Sequence, residues 1–364
     1  LATSFCGFLY GNIPVFVLAF SLQHCLPFCF SFIRKELSMS MFLRLSFLVG
    51  FGAGALSAQA SSSSSSVPAM GSYSPAVWDA DGFFEELKSP ASDYQMGGEW
   101  GKYVVTPQML DSASAAFKRG AYAAAKVSSA TGFYLGTFAG YQIVATNHHV
   151  LPRANRCTSA YFPLLNKSFK CDKFFGTWTD VDLALFSIRV NSEADVAALN
   201  AVGKNFDFDA ELSPGRELLT IGFGVGNNPG QKMVANQDTD CVVYSGANDF
   251  RFMADPDDLN PGPYKAWSFA NGCDVSHGDS GSAMLDRSTG NVLGIIWTGR
   301  IPKNSKVQTS EYMRNLLANP TEEIWEELSY GVPAVKIKAH FEKLIADAST
   351  AEETRTVLKA LLGQ

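Results

Sequence analysis

Between residues 127 and 299 the apolar positions come in short runs. They are rich in β-branched and aromatic side chains and are broken by Gly, Asn, Asp and Pro. Residues 132–136, 142–146, 183–190, 217–222, 241–244 and 292–297 are of this kind. Many short runs with turn residues between them predict an all-β barrel or sandwich. On either side the period changes. Thr106-Pro107 has the form of a helix N-cap and first-turn proline, and predicts an Ala-rich helix to about Lys126. Past Pro333, the residues Val335, Ile337, Phe341, Leu344 and Ile345 fall near helical spacing and predict a core-facing stripe. Thr350 with Glu353 has the spacing of a capping box for a last short helix to Leu362.

The first sixty residues have another texture. Residues 5–33 are almost continuously apolar, interrupted by Asn12, Pro14, Gln23, His24 and Pro27. A second apolar run, residues 41–56, follows Arg34 and Lys35, carries Arg44, and leads to the small-x-small pattern Ala58-Gln59-Ala60. Basic flank, short apolar core and small-residue end predict a secretory signal peptide over about residues 39–60. A membrane-spanning helix needs about 20 apolar residues, more than this run supplies. Lys35-Glu36 can be encoded by a purine-rich stretch able to serve as a ribosome-binding site. Translation is therefore expected to start at Met39 or Met41, with the preceding residues an over-extended reading of the gene. The product is expected to be secreted or periplasmic. The serine run 61–66 and Val67-Pro68 predict a linker. Residues 61–105 as a whole are either an ordered N-terminal extension or a removable pro-segment, and both readings stay open. The main folded domain is expected over residues 106–346, with a short C-terminal helix in 347–364.

A chain of 364 residues with 46% hydrophobic content can bury a sizeable core. Its formal charge is −6, and no Lys/Arg-rich run lies outside the extreme N-terminus, so a nucleic-acid partner has no electrostatic basis. Cleavage after Ala60 would remove Arg34, Lys35 and Arg44 against Glu36 and leave the exported chain more acidic. Four cysteines lie beyond that point: Cys157, Cys171, Cys241 and Cys273. Export favours disulfides, and four cysteines allow three pairings. Neighbours joined in order, Cys157–Cys171 and Cys241–Cys273, are the expected pairs, against free buried thiols. No Cys/His spacing suggests zinc. The acidic stretch 255–263 lacks EF-hand spacing and predicts a solvated loop. Neither metal nor cofactor is expected.

Three segments carry chemistry. Gly278-Asp279-Ser280-Gly281-Ser282 sets a serine between glycines. A serine hydroxyl needs a base to take its proton and backbone N–H groups to stabilise an oxyanion, and glycine two residues earlier permits the tight backbone this requires. Val144-Ala145-Thr146-Asn147-His148-His149-Val150 ends an apolar strand in histidine. Asp180-Val181-Asp182-Leu183-Ala184-Leu185-Phe186 sets an acid directly before a buried strand, where it can accept the imidazole N–H and fix its tautomer. Each has a bland reading: a chance loop glycine pattern, a strand-end histidine, a turn aspartate. The order His, Asp, Ser inside an all-β texture changes the balance.

With these motifs the chain resembles the trypsin/chymotrypsin-like serine protease family, nearer to its bacterial branch. Residues 131–134 and 143–150 resemble the strand pair leading to the family's histidine, 182–185 its acid motif and 278–282 its serine motif. Residues 294–299 resemble the following substrate-binding strand, and 328–333 the closing strand before a terminal helix. The likeness spans about residues 125–346. It implies two packed six-stranded antiparallel β-barrels with a C-terminal helix. His149 as base and Asp182 as its orienter would come from the first barrel, and Ser280 as nucleophile from the second. The N–H groups of Gly278 and Ser280 would form the oxyanion hole. His148 is expected to be exposed or a local hydrogen-bond partner, His277 to border the cleft, and His340 to lie on the surface.

Asp274, six residues before Ser280, takes the base-of-pocket position of trypsin-like members, with Gly299 and Gly331 keeping the pocket open. This implies a preference for Arg or Lys at the cleaved position, against which Cys273 stands to redirect the loop. Nothing resembles the Ile-Val-Gly-Gly start of zymogen-activated members, so the oxyanion loop must be ordered without a new N-terminal ammonium. The activity implied is an exported serine endopeptidase acting on peptide or protein substrates, with no stable membrane span in the mature form. The alternatives are a catalytically silent binding module on the same fold and an esterase using the same triad. Oligomeric state is not legible from the chain.

Overall fold

The computed structural model describes residues 7–10, 13–16, 94–225, 228, 231–247, 249–256 and 264–364. The expected signal peptide, translation start and linker fall outside the described residues. The chain divides into two units, Leu1–Ser72 and Tyr73–Gln364. In the first, β1 (Gly7–Tyr10) and β2 (Ile13–Phe16) pair antiparallel.

The second unit is described from Tyr94 onward. Strand β3 (Lys102–Val104) is followed by α1 (Pro107–Ser112), whose N-cap Thr106 accepts the Met109 N–H at 3.3 Å. The single Ala-rich helix expected to Lys126 is instead two helices and a strand. Ser114 accepts the Phe117 N–H at 3.1 Å and starts α2 (Ala115–Ala123) afresh, because a serine side chain competes with the helix interior for backbone donors. From Ala124 the chain is strand. Its backbone groups pair with two neighbours at once, and this tertiary pairing overrides alanine's helix preference.

That strand, β4 (Ala124–Val127), closes a six-stranded antiparallel barrel with β5 (Ala130–Phe138), β6 (Tyr141–Thr146), β7 (Ser159–Phe162), β8 (Lys167–Trp178) and β9 (Leu183–Ile188) in the order β4-β5-β6-β9-β8-β7. Every residue of β9 is buried because both its faces are covered. Ala184, Phe186 and Ile188 fill the barrel with Val127, Tyr134, Val144 and Phe162, while Leu183 and Leu185 turn to the main core. The β6–β9 register ends at Thr146 opposite Ala184. It therefore sets the chain leaving β6 beside the chain entering β9.

After α3 (Glu193–Asn200) come β10 (Leu218–Gly222), β11 (Val234–Asn236), β12 (Arg251–Met253), β13 (Ala266–Asn271), β14 (Ala283–Asp286), β15 (Val292–Thr298), α4 (Ser310–Ala318) and β16 (Ser329–Pro333). These strands form an open eight-stranded sheet, β12-β13-β16-β15-β14-β10-β11-β3, not the second closed barrel expected from the sequence. The gap falls at residues 241–244, which hydrogen-bond to both sides (Val243 N–H to Arg216 O at 3.0 Å, Tyr244 N–H to Ala270 O at 2.9 Å) but form isolated bridges, Val242 to Glu217 and Val243 to Asn271, and no continuous strand. Asp238 Oδ1 accepts the N–H groups of Asp240 (3.1 Å) and Cys241 (2.8 Å), and the Cys241–Cys273 disulfide pins the same point. The segment bends across the gap, one residue to each side, instead of running as a strand. Both disulfides join the expected partners.

Helix α5 (Ala334–Ala346) buries Ala334, Ile337 and Phe341. Helix α6 (Glu352–Leu361) packs Val357, Leu358 and Leu361 into the main core. The expected capping box is not made: Ala351 is the N-cap and no side chain caps the helix. The Glu353 carboxylate is taken by Lys173 and Tyr141 on the barrel, a charged partner that outcompetes a backbone N–H. Among the described residues no helix is long and apolar enough to cross a membrane.

Candidate active site

Asp182 sits in the turn before β9, its N–H on Thr179 O (3.2 Å) and its φ at +35°, a left-handed conformation that aspartate tolerates better than most residues. Asn147 Nδ2 donates to Asp182 O (2.8 Å) and ties this turn to the end of β6. The fully buried carboxylate then meets His149 twice: Oδ2 takes the ring Nδ1–H at 2.8 Å and Oδ1 the backbone N–H at 3.1 Å. With Nδ1 engaged, Nε2 is left as the free basic nitrogen. The imidazole keeps 39% of its side-chain surface exposed. Desolvation by its neighbours works against protonation. The Asp182 charge and hydrogen bond, with Asp255 beyond, outweigh it and hold the His149 pKa above the usual imidazole value.

The serine loop is shaped by contacts from outside itself. Thr131, at the start of β5, donates its N–H to Ser280 O (3.0 Å) and its hydroxyl to Gly278 O (2.7 Å), and its Oγ1 accepts the Phe223 N–H (3.0 Å). Thr146 Oγ1 donates to Thr131 O at 2.7 Å. These bonds hold the loop against the end of β6, three residues before His149. Gly278 has φ +93° and Gly281 φ +84°, and a Cβ on Gly281 would lie 2.1 Å from Thr131 O. His277 O accepts the Val225 N–H at 2.7 Å. Because a trans peptide points its two polar groups opposite ways, the Gly278 N–H faces away from Val225. Among the described residues neither the Gly278 nor the Ser280 N–H donates to a backbone carbonyl. Ser280 is half-buried, and among the described residues no hydrogen bond joins it to His149.

The residues expected to line a basic-specific pocket are not brought together around an open carboxylate. Asp274 is fully buried and turned to the N-terminal segment, its Oδ1 accepting the Met96 N–H (2.7 Å) and its Oδ2 the Gly101 N–H (2.6 Å). Burial, with Asp238 nearby, pushes its pKa up to about 8. Gly299 packs on Val275, and Gly331 on Met284 and Phe269.

Asp180, the other acid of that motif, bonds His340 Nδ1 at 2.9 Å. His340, expected on the surface, keeps only 11% exposure because its ring is covered by Trp178. His148 bonds Thr177 Oγ1 at 2.7 Å, stacks on Tyr264, and is held below its usual pKa by burial and then by the neighbouring His149. His277 lies edge-on to Tyr94.

Sequence reasoning did not single out Tyr264 or Lys102. Tyr264 packs on His148 and Trp297, and burial together with the Asp182 charge pushes its phenol pKa up. Lys102 forms an ion pair with Asp279, the residue before the serine. Among the described residues no group of His, Cys, Asp and Glu is arranged to hold a metal ion.

Residues 130–295 match the family model described as the trypsin-like peptidase domain. No protein with a curated description shows a significant sequence match. Among solved structures, an inactive-form mutant of Rv3671c from M. tuberculosis H37Rv is 16% identical at a TM-score of 0.44, covering 68% of this chain and 99% of that one. The active form of the Rv3671c protease from M. tuberculosis is 15% identical at a TM-score of 0.42, covering 69% and 90%. This chain carries a trypsin-like peptidase domain over residues 130–295, the span that contains His149, Asp182 and Ser280.

Proposed function

We propose that the protein is an exported serine endopeptidase in which Ser280 attacks the peptide carbonyl. His149 Nε2 takes the hydroxyl proton and passes it to the leaving amine, and water then hydrolyses the acyl-enzyme. Asp182 holds the imidazole tautomer and stabilises the imidazolium, while the Gly278 and Ser280 N–H groups receive the oxyanion. The observation that carries this reading is the double hydrogen bond of His149 to a fully buried Asp182. Beside it lies a serine loop whose Gly278 N–H faces away from Val225 and, among the described residues, donates to no backbone carbonyl. Asp274 takes no part in selecting Arg or Lys in this proposal, since both its oxygens are committed to backbone N–H groups.

The second reading, a silent binding module, draws on one observation: no hydrogen bond joins Ser280 to His149 among the described residues. Unliganded serine hydrolases often show this contact long or misaligned, so it does not decide the matter by itself. A fluorophosphonate probe does. Labelling of the wild type, abolished in Ser280→Ala and strongly reduced in His149→Ala, is the expected result; a folded wild type that does not label overturns the peptidase reading.

A further inference from the structure

The Lys102 ammonium is almost completely buried, with 3% of its side chain exposed against 4% for Asp279. A lysine in that position is rarely tolerated without a dedicated partner. Here the ammonium pairs with Asp279 Oδ2, reaches Ser276 Oγ at 3.2 Å, and lies under the Trp100 ring. Asp279 in turn organises the loop around it. Oδ2 accepts the Ser276 N–H (2.9 Å) and Oδ1 the Gly224 N–H (3.1 Å). Its own N–H closes a turn on Ser276 O (3.0 Å), and its carbonyl accepts the Ser282 N–H (2.8 Å). This one carboxylate therefore ties down the backbone leading into Ser280, while the Asp279 main-chain carbonyl reaches past the serine to Ser282.

The segment that delivers Lys102 is clamped along its length. Met96 and Gly101 donate to Asp274, Gly97 to Val307 O (2.8 Å) and Gly98 to Ser310 Oγ (2.9 Å), and the Met96 side chain is fully buried. Strand β3 then pairs with β11, Lys102 opposite Asn236.

We propose that Lys102 is a positioning residue: an internal ammonium that orders the serine loop through Asp279. Residues 94–104 are thus a permanent brace of the working domain and not a removable pro-segment. The proposal deepens, and for its effect on activity rests on, the peptidase reading of Ser280. Without the ammonium, Asp279 would be left as a buried charge with no counter-charge. The loop would then turn that carboxylate toward water and lose its shape. The uncut chain carries its own cation, so no newly cut N-terminus is needed for the loop to order. Cleavage beyond Lys102 would remove that cation.

The test uses the full chain, Lys102→Met, and the double variant Lys102→Met/Asp279→Asn. Three quantities are read: fluorophosphonate labelling rate, kcat and KM on a peptide substrate, and deuterium exchange of peptides covering residues 276–282. Lys102→Met is expected to lose about 100-fold or more in labelling rate, chiefly in kcat, and to exchange faster in that loop. The double variant, with no buried charge left unpaired, is expected to regain loop protection and part of the labelling. Labelling and exchange unchanged in a folded Lys102→Met overturn the proposal, as does a double variant whose loop exchanges as fast as the single one. Should Lys102→Met not fold, the double variant decides: folded with a protected loop supports the brace, and equally unfolded refutes it. Should the wild type not label, the peptidase reading falls, and exchange alone still decides the role of Lys102.

Discussion

Asp182→Asn isolates the electrostatic part of the site from its packing. The side chains are nearly the same size, so a fully buried position keeps its neighbours, and the amide oxygen can still accept the His149 N–H now held at 3.1 Å. The other contact inverts. At 2.8 Å from His149 Nδ1 the carboxylate accepts, whereas an amide nitrogen would donate. The ring must then carry its proton on Nε2 and can no longer receive one from Ser280. In the template serine-protease triad this change costs about four decades in rate, or ~5.4 kcal/mol of barrier. A loss of that order is expected here.

The same change removes the charge that lifts the His149 pKa and leaves the desolvation that lowers it. In the wild type, labelling should rise with pH through an inflection above the usual imidazole value. In Asp182→Asn the inflection should move to lower pH. The assay is the second-order fluorophosphonate labelling rate across pH, with thermal unfolding in parallel to show that the fold persists. A loss under about tenfold in a folded variant, or an inflection that does not move, would refute the assignment of His149 and Asp182.

Gly281→Ala should lower the melting temperature and labelling together. The φ of +84° strains any Cβ by about 1–2 kcal/mol, and Thr131 O stands 2.1 Å from where it would be; an unchanged melting temperature would contradict the loop geometry. Asp274 is held protonated above the ordinary carboxylate range, so the stability it contributes is complete below about pH 4 and is lost as pH rises through its folded value of about 8. Urea midpoints should therefore fall between about pH 5 and about pH 9 in the wild type and fall less in Asp274→Asn; parallel profiles would discount the group. The disulfides close spans of 14 and 32 residues, for which chain entropy gives about 3.0 and about 3.7 kcal/mol. Replacing both cysteines of the Cys241–Cys273 pair should thus cost more in urea unfolding than replacing Cys157 and Cys171, and the reverse order would point to strain in the longer link.

What was legible in the chain was what is local. The strand before His149 and the strand after Asp182 are each written in a few consecutive apolar residues, and pairing them in register brings the two side chains together. The disulfide partners follow from sequence order. The failures are non-local. The second barrel stays open at residues 241–244, which make isolated bridges and no strand; Cys241 at their start is tied to Cys273 and to Asp238, which no run of apolar residues signals. Glu353 has the spacing of a cap, but finds Lys173 and Tyr141 on another part of the fold. Asp274 stands at a pocket position by count from Ser280, yet its direction is set by N–H groups 178 and 173 residues earlier.

Lys102 is the extreme case. Nothing in Gly101-Lys102-Tyr103 separates it from a surface lysine, because the cause of its burial, Asp279, lies 177 residues away. The serine motif itself has the same character. Its glycines permit a tight loop, but the loop takes its shape from Thr131, Val225, Gly224 and Lys102, one contact from the first barrel and three from chain that joins or flanks the open sheet. A short motif can therefore announce the chemistry while leaving unsaid what holds it in a working geometry. In this protein one of those contacts, from Lys102, comes from an N-terminal segment that sequence alone left open between extension and pro-segment.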